Sequence, residues 1–233
     1  KLHAAGLQAE GVAASNFSAE QVRARDSEIK LGNGEARVSL AEADVQNARL
    51  ADRVDVHHAS LTGVDASQVD GLRRVLVGHA GVDGARDSVS GTTLDSGTLD
   101  GVDLRGGGAG YDSRIAGAAV NGLAVGGHRV GSASIQDGRV GRDGGGLTSG
   151  SFSSLQSQDL HAATGGEGVD LASLSATAGA VSVGADGSLD AHLDAAQGTG
   201  LRSAALSAGS VGASGLGLRH AGQRSSLTAG DVS

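Results

Sequence analysis

Apolar residues return every five positions along much of this chain, and this spacing constrains the fold more than any other feature. The longest run lies in the middle of the chain, at Ile115, Val120, Val125, Val130, Ile135 and Val140. An α-helix repeats apolar residues at intervals of three and four, and a plain strand repeats them at intervals of two. The five-residue step therefore predicts a coil built from short β-faces, each about five residues long.

A longer repeat overlies the short one. New blocks open 54, 53 and 54 residues apart, at Leu40, Leu94, Leu147 and Leu201. We interpret residues 1–233 as a single repeat array, with partial blocks at 1–39 and 201–233 and whole blocks at 40–93, 94–146 and 147–200. Repeat arrays end in capping units with a polar outer face, and no such unit is visible. We therefore expect the chain to be an excerpt from a longer array.

Two stretches alternate apolar and polar residues on both sides of a turn signal. Residues 27–40 do so around Gly32-Asn33-Gly34, and residues 180–193 around Asp186-Gly187. Asn, Asp and Gly tolerate the positive φ of tight hairpin turns, so both stretches predict β-hairpins. No stretch combines a helix start, helical periodicity and a helix stop. The predicted fold class is all-β.

Composition favours a thin, ordered interior. The chain has 41 glycines and no proline, and its only aromatic residues are Phe17, Tyr111 and Phe152. Disordered Gly-rich segments usually keep proline, whereas continuous β-ladders exclude it. A core without aromatic side chains must be built from small aliphatic ones. The leading prediction is an elongated repeat β-solenoid, and a stacked β-meander is the alternative.

Several pentads resemble the repeat unit of the pentapeptide-repeat family, in which a small residue and Asp or Asn precede a central Leu or Phe. They are SNFSA at 15–19, ADVQN at 43–47, ARLAD at 48–52, ASLTG at 59–63 and VDLRG at 102–106. The resemblance covers about half of the chain. It implies a right-handed quadrilateral β-helix with four pentads per coil, in which the central residue of each pentad points inward.

We assign no catalytic, cofactor-binding or metal-ligating residue, and we predict a chain that is not an enzyme. His57 and His58 are adjacent, and neighbours on a strand point to opposite faces, which suits a shared metal poorly. The aspartates between Asp83 and Asp112 are interpreted as solvated turn formers rather than a Ca²⁺ site. There is no phosphate-binding loop and no nucleophile elbow. Arg73-Arg74 is the only adjacent pair of arginines, which is too little for a nucleic-acid surface.

Charge and composition narrow the functional classes. The net charge of −8 disfavours nucleic-acid binding, and no apolar run approaches the roughly 18 residues of a membrane-spanning helix. Sixteen arginines against two lysines suggest a GC-rich bacterial genome. We predict a structural segment (a stalk, shell or spacer) of a larger bacterial surface, secreted or toxin-associated protein.

Such a segment would be extracellular or at the cell surface. Its partners would be other proteins or neighbouring repeats of the same chain, and any small-molecule ligand is unknown. Two alternatives stay open. The first is a cytoplasmic DNA mimic that binds DNA gyrase, which the pentapeptide-repeat resemblance implies. The second is a lipid-carrying β groove.

Overall fold

The computed structural model describes residues 2–32, 34–69, 71–108, 110–164, 167–221 and 224–233, and within them only strands and turns occur. The strands are β1 (Leu2–Ala14), β2 (Phe17–Gly32), β3 (Glu35–Leu50), β4 (Val54–Val69), β5 (Leu72–Asp87), β6 (Thr93–Gly107), β7 (Gly110–Val125), β8 (His128–Arg142), β9 (Thr148–Thr164), β10 (Glu167–Val183), β11 (Leu189–Arg202), β12 (Ser207–Ala221), β13 (Arg224–Thr228) and β14 (Asp231–Val232). They form one sheet. From β1 to β13 each strand pairs antiparallel with the next, and β14 returns to β12.

The all-β prediction is confirmed, and so are both hairpins. Strands β2 and β3 are paired down to Gly32 and Glu35, and β10 and β11 are paired down to Val183 and Leu189. Asn33 of the first predicted turn lies outside the described residues. The β-solenoid is not confirmed: successive coils of a β-helix pair in parallel, whereas consecutive strands here are antiparallel. The sheet fits the meander alternative.

Each strand from β1 to β12 contains one residue with a φ between 47° and 64° inside its paired length. These residues align across the sheet in two rows, which we call the kink rows. The even-numbered strands supply the residues of row one, and the odd-numbered strands supply those of row two. Row one is Asp26, Gly63, Gly101, Asp137, Ala178 and Gly215; row two is Gly11, Asn47, Gly84, Gly122, Asp159 and Gly200. Eleven of these twelve residues are Gly, Asp or Asn, the types that adopt the left-handed region at least cost.

The kink rows explain the five-residue step. In β7, Ala116 and Gly122 lie six residues apart, opposite Asp137 and Gly131 of β8, and the ladder lapses at both positions. Side chains three apart across a kink share a face, as when Ala19 and Val22 pack together. Between the two kink rows, successive side chains point to opposite faces, so residues two apart share a face as in any strand. Steps of two and three therefore follow one another, and the sum of five is the apolar period.

One face of the sheet is aliphatic and the other is polar. Within the described ranges, the five buried residues that carry a side chain, Ala19, Ala48, Val56, Ala176 and Ser157, lie at positions of the aliphatic face, and the other buried residues are glycines. The accessible surface is 14114 Å², against about 9,500 Å² expected for a compact protein of this mass. The molecule is therefore a single layer, and much of its aliphatic face is uncovered by its own chain.

The 54-residue blocks begin at different places in the strands. Leu40, Leu94 and Leu201 lie inside β3, β6 and β11, whereas Leu147 lies just before β9. The structure itself repeats by strand pairs: row one advances 37 residues from Asp26 to Gly63 and 38 residues from Gly63 to Gly101.

A glycine in a kink row should be far more sensitive to substitution than one outside the left-handed region. At Gly101 (φ 59°), a Cβ atom would lie 2.8 Å from the Cβ of Ala116. We expect Gly101→Ala to lower the free energy of unfolding by about 1–3 kcal/mol, measured by urea denaturation. Gly6→Ala is the control, because Gly6 lies outside both kink rows and a Cβ there meets nothing within 4 Å. An equal loss in both variants would contradict the role of the kink rows.

Candidate functional site

The aliphatic face curls into a groove over the second half of the sheet. A cavity of about 520 Å³ is lined by strands from β7 to β13. Six strand spacings would span about 29 Å in a flat sheet, and from the single cavity that reaches all seven strands we infer that the sheet curves with this face inward. We call it the apolar groove; its large apolar side chains are Ile115, Ile135, Val140, Phe152, Val181, Leu193, Leu216, Leu218 and Leu227.

Large side chains of the apolar groove lie opposite glycines. Phe152 pairs with Gly179, where any Cβ would overlap the aromatic ring, and Val181 pairs with Gly150. A glycine in a strand allows a close approach by its neighbours. The alternation of large and absent side chains therefore lets the sheet curve inward without overlap between strands.

A second concavity follows kink row two and is more polar. Its volume is about 830 Å³, and Asp95, Asp159, Asp170, Arg129 and Arg202 are among its lining residues. His161 also lines it and lies 2.6 Å from Asp170, measured between Nδ1 and Oδ1. This cavity mixes both charge signs, so it offers no single ligand chemistry.

Ion pairs join neighbouring strands at a strand end and on the polar face. At the strand end, Arg53 in the turn before β4 contacts Asp87, the last residue of β5, at 2.7 Å. On the polar face, Arg74 contacts Asp103 at 2.9 Å. Asp103 also accepts from Arg105 at 2.7 Å. These guanidiniums hold the pKa of Asp87 and of Asp103 well below its usual range, with additional hydrogen bonds from Ser90 and the Val89 amide at Asp87. Both carboxylates stay charged down to strongly acidic pH.

The aspartates considered for Ca²⁺ are distributed over several strands, and most of them contact an arginine or a histidine. Asp100 Oδ1 lies 2.6 Å from His79 Nδ1, and Asp83 contacts His58. In the ranges that the structure describes, no three His, Asp or Glu side chains are arranged to hold a metal ion. Repulsion between carboxylates is relieved here by pairing across the strands.

His57 and His58 occupy different environments. His57 lies at kink row two, opposite Gly84, and is exposed. His58 lies between two carboxylates: its Nε2 is 2.6 Å from Asp44 Oδ2 and its Nδ1 is 3.3 Å from Asp83 Oδ2. Hydrogen bonds to Asp44 and then Asp83 raise the pKa of His58, and the bond to His58 lowers the pKa of Asp44.

The His58 contacts make stability depend on pH with a definite sign. Because the folded-state pKa of His58 is raised, its stabilisation is complete below the unfolded-state pKa near 6.5 and is lost as pH rises through the folded-state pKa. We expect His58→Ala to lower the free energy of unfolding at pH 5.5 by about 0.5–1 kcal/mol, and by less at pH 8.5. Urea unfolding of His57→Ala at both pH values is the control. The same pH-dependent loss in His57→Ala would contradict the assignment.

The five-residue pattern includes residues of the apolar groove, but it does not predict the groove. Ile115, Ile135 and Val140 belong to the longest five-residue run, but the run alone predicts the lining of a closed, slender interior. The sequence feature that indicates an open face is the alternation of two-residue and three-residue steps between successive apolar residues. That alternation indicates strands kinked at fixed places.

Comparison with known proteins gives no match: neither a protein family, nor a characterised protein, nor a solved structure proves similar to this chain. Within the described ranges, no helix has the length and apolar character needed to cross a bilayer. The resemblance to pentapeptide repeats stays a prediction. The functional argument rests on the geometry of the sheet.

Proposed function

We propose that the chain carries an aliphatic ligand, the acyl chain of a lipid, in the apolar groove. The observation that supports this function is the curved aliphatic surface from β7 to β13. Its volume of about 520 Å³ falls within the roughly 300–1,000 Å³ of ligand pockets. Large exposed apolar patches are rare on soluble monomers and usually mark an interaction site.

The shape and chemistry of the groove favour a chain-like apolar occupant. The concave faces of two identical copies are not complementary to each other, so a second copy fits poorly. Val, Leu and Ile are the commonest large side chains of the wall, Phe152 adds a phenyl ring, and Arg139 and His192 are its ionisable residues. An acyl chain needs no directional partner, and an apolar cavity favours such a ligand over water.

Affinity should rise with the length of the acyl chain. Burial of one methylene contributes about 0.8 kcal/mol, so two additional methylenes should tighten binding by up to about 15-fold until the groove is filled. Displacement of a fluorescent long-chain fatty acid by saturated fatty acids of increasing length measures this dependence. An affinity independent of chain length would contradict burial of the chain in the groove.

A charge placed in the groove should abolish binding, whereas the same charge on the opposite face should not. Val181 lines the apolar groove and is 41% exposed, so a polar side chain there is compatible with folding. Its neighbour Ser182 faces the other side. We expect Val181→Asp to weaken binding of a fluorescent fatty acid at least about tenfold, because an aspartate resists transfer into an apolar site.

Ser182→Asp is the matched control and should change the affinity less than twofold. Circular dichroism of both variants shows whether the sheet is retained. Equal affinities in Val181→Asp and Ser182→Asp, with both folded, would locate the ligand elsewhere and refute the proposed function.

A structural role is the second candidate, and the regularity of the sheet favours it. Every strand from β1 to β12 uses the same two kink rows, and β1 has a neighbour on one side only among the described residues. An open edge of this kind can pair with a further strand. A stalk, shell or spacer in a larger bacterial surface or secreted protein would be extended by the pairing of further strands at this edge. Electron microscopy at increasing concentration tests it: elongated assemblies support the role, and isolated particles throughout oppose it.

A further inference from the structure

We propose that the ligand of the apolar groove is an amphiphile with an anionic, phosphate-type headgroup, and that Arg73, Tyr111 and Arg142 bind this headgroup. The inference rests on the proposed function, because it assigns the chemical class of the molecule whose acyl chain occupies the groove. It follows from the register of four neighbouring strands at the rim of the aliphatic face.

The three residues lie in one row across the sheet. Arg73 pairs with Gly106, Gly106 pairs with Tyr111, and Tyr111 pairs with Arg142. Residues two apart in a strand share a face, so Arg142 lies on the same face as Val140, which lines the apolar groove. The row therefore marks the place where the aliphatic face ends and charged side chains begin.

The same row lines a separate cavity of about 550 Å³ with a positive balance. Four arginines (Arg73, Arg74, Arg105 and Arg142) and one aspartate line it. Arg74 and Arg105 share the single carboxylate of Asp103, at 2.9 and 2.7 Å, so that cluster keeps one excess positive charge. A positive concavity in a chain of net charge −8 is a local attractor for anions.

Arg73 and Arg142 provide the two guanidiniums of the row. Among the described residues, neither guanidinium has an ion-pair or hydrogen-bond partner. A guanidinium presents its donors in a planar fork that matches the oxygens of phosphate. Gly106 lies between Arg73 and Tyr111 in the row and has no side chain to fill the space. Tyr111 is 41% exposed and supplies a phenol group at the boundary between the wet and apolar surfaces.

Chain-matched ligands test the headgroup directly. Oleoyl lysophosphatidic acid and monooleoylglycerol carry the same acyl chain and differ in the phosphate. We expect the wild-type chain to bind the phosphate form about tenfold more tightly in a displacement assay at low salt. In the double variant Arg73→Gln/Arg142→Gln this preference should fall below about twofold, while the affinity for monooleoylglycerol stays within twofold of wild type.

The charge-matched control is Arg23→Gln/Arg86→Gln, whose side chains lie on the polar face; it should keep the tenfold preference. Equal binding of the two oleoyl ligands by the wild type, or an unchanged preference in Arg73→Gln/Arg142→Gln, would overturn the headgroup site while leaving the acyl-chain function intact. Tight binding of glycerol 3-phosphate that Val181→Asp does not affect would show a free-phosphate site and also overturn the inference. Failure of both oleoyl ligands to bind would refute the proposed function itself.

Discussion

One left-handed residue in each strand from β1 to β12, placed in one of two kink rows, keeps the aliphatic side chains of this chain on one side of the sheet. Without it, a strand of 16 residues such as β2 would turn the apolar residues of alternate five-residue segments to opposite faces. The cost of a positive φ is small for Gly, Asp and Asn, which occupy nearly every such position. Curvature, the apolar groove and the polar ion-pair face all depend on this alignment.

The stability of the sheet comes from its ladders more than from a core. Five side chains are buried within the described ranges, and large aliphatic residues such as Leu2, Leu72 and Leu227 are mostly exposed. A single layer leaves apolar surface in contact with water, and covering it would be favourable by roughly 25 cal/mol per Å². Burial of the exposed aliphatic surface along the concave face would therefore be favourable, which is the physical reason to expect a ligand there.

The sequence was sufficient to predict the all-β class, and both hairpins follow from Gly, Asn and Asp between alternating stretches. The five-residue step was correctly taken as a structural period, but its cause was missed. The same step describes a coil of five-residue faces and a kinked strand with five residues between kinks. Periodicity carries no information on whether the next strand runs parallel or antiparallel, and that direction separates the two folds.

The candidate sites were harder to predict, because they depend on residues far apart in the chain. Arg73 and Arg142 are brought to one rim by the pairing of four strands, and nothing near either residue in the sequence indicates the other. His58 acquires its partners in the same way, from Asp44 and Asp83 on the two flanking strands. The composition excludes a core rich in aromatic side chains, but it does not indicate how the strands arrange the aliphatic residues.

The constant six-residue distance between the kink rows has a consequence for how such a chain can diverge. One residue inserted between the two positions at which a strand crosses the kink rows would move one of these positions out of its row and turn the aliphatic side chains beyond it outward. Such insertions and deletions should therefore be rejected inside the strands. The connections have no such restriction: two residues separate β1 from β2, whereas five separate β5 from β6 and β10 from β11. Differences in length among descendants of this chain should therefore accumulate in the loops between strands, while the six-residue distance between the kink rows stays unchanged.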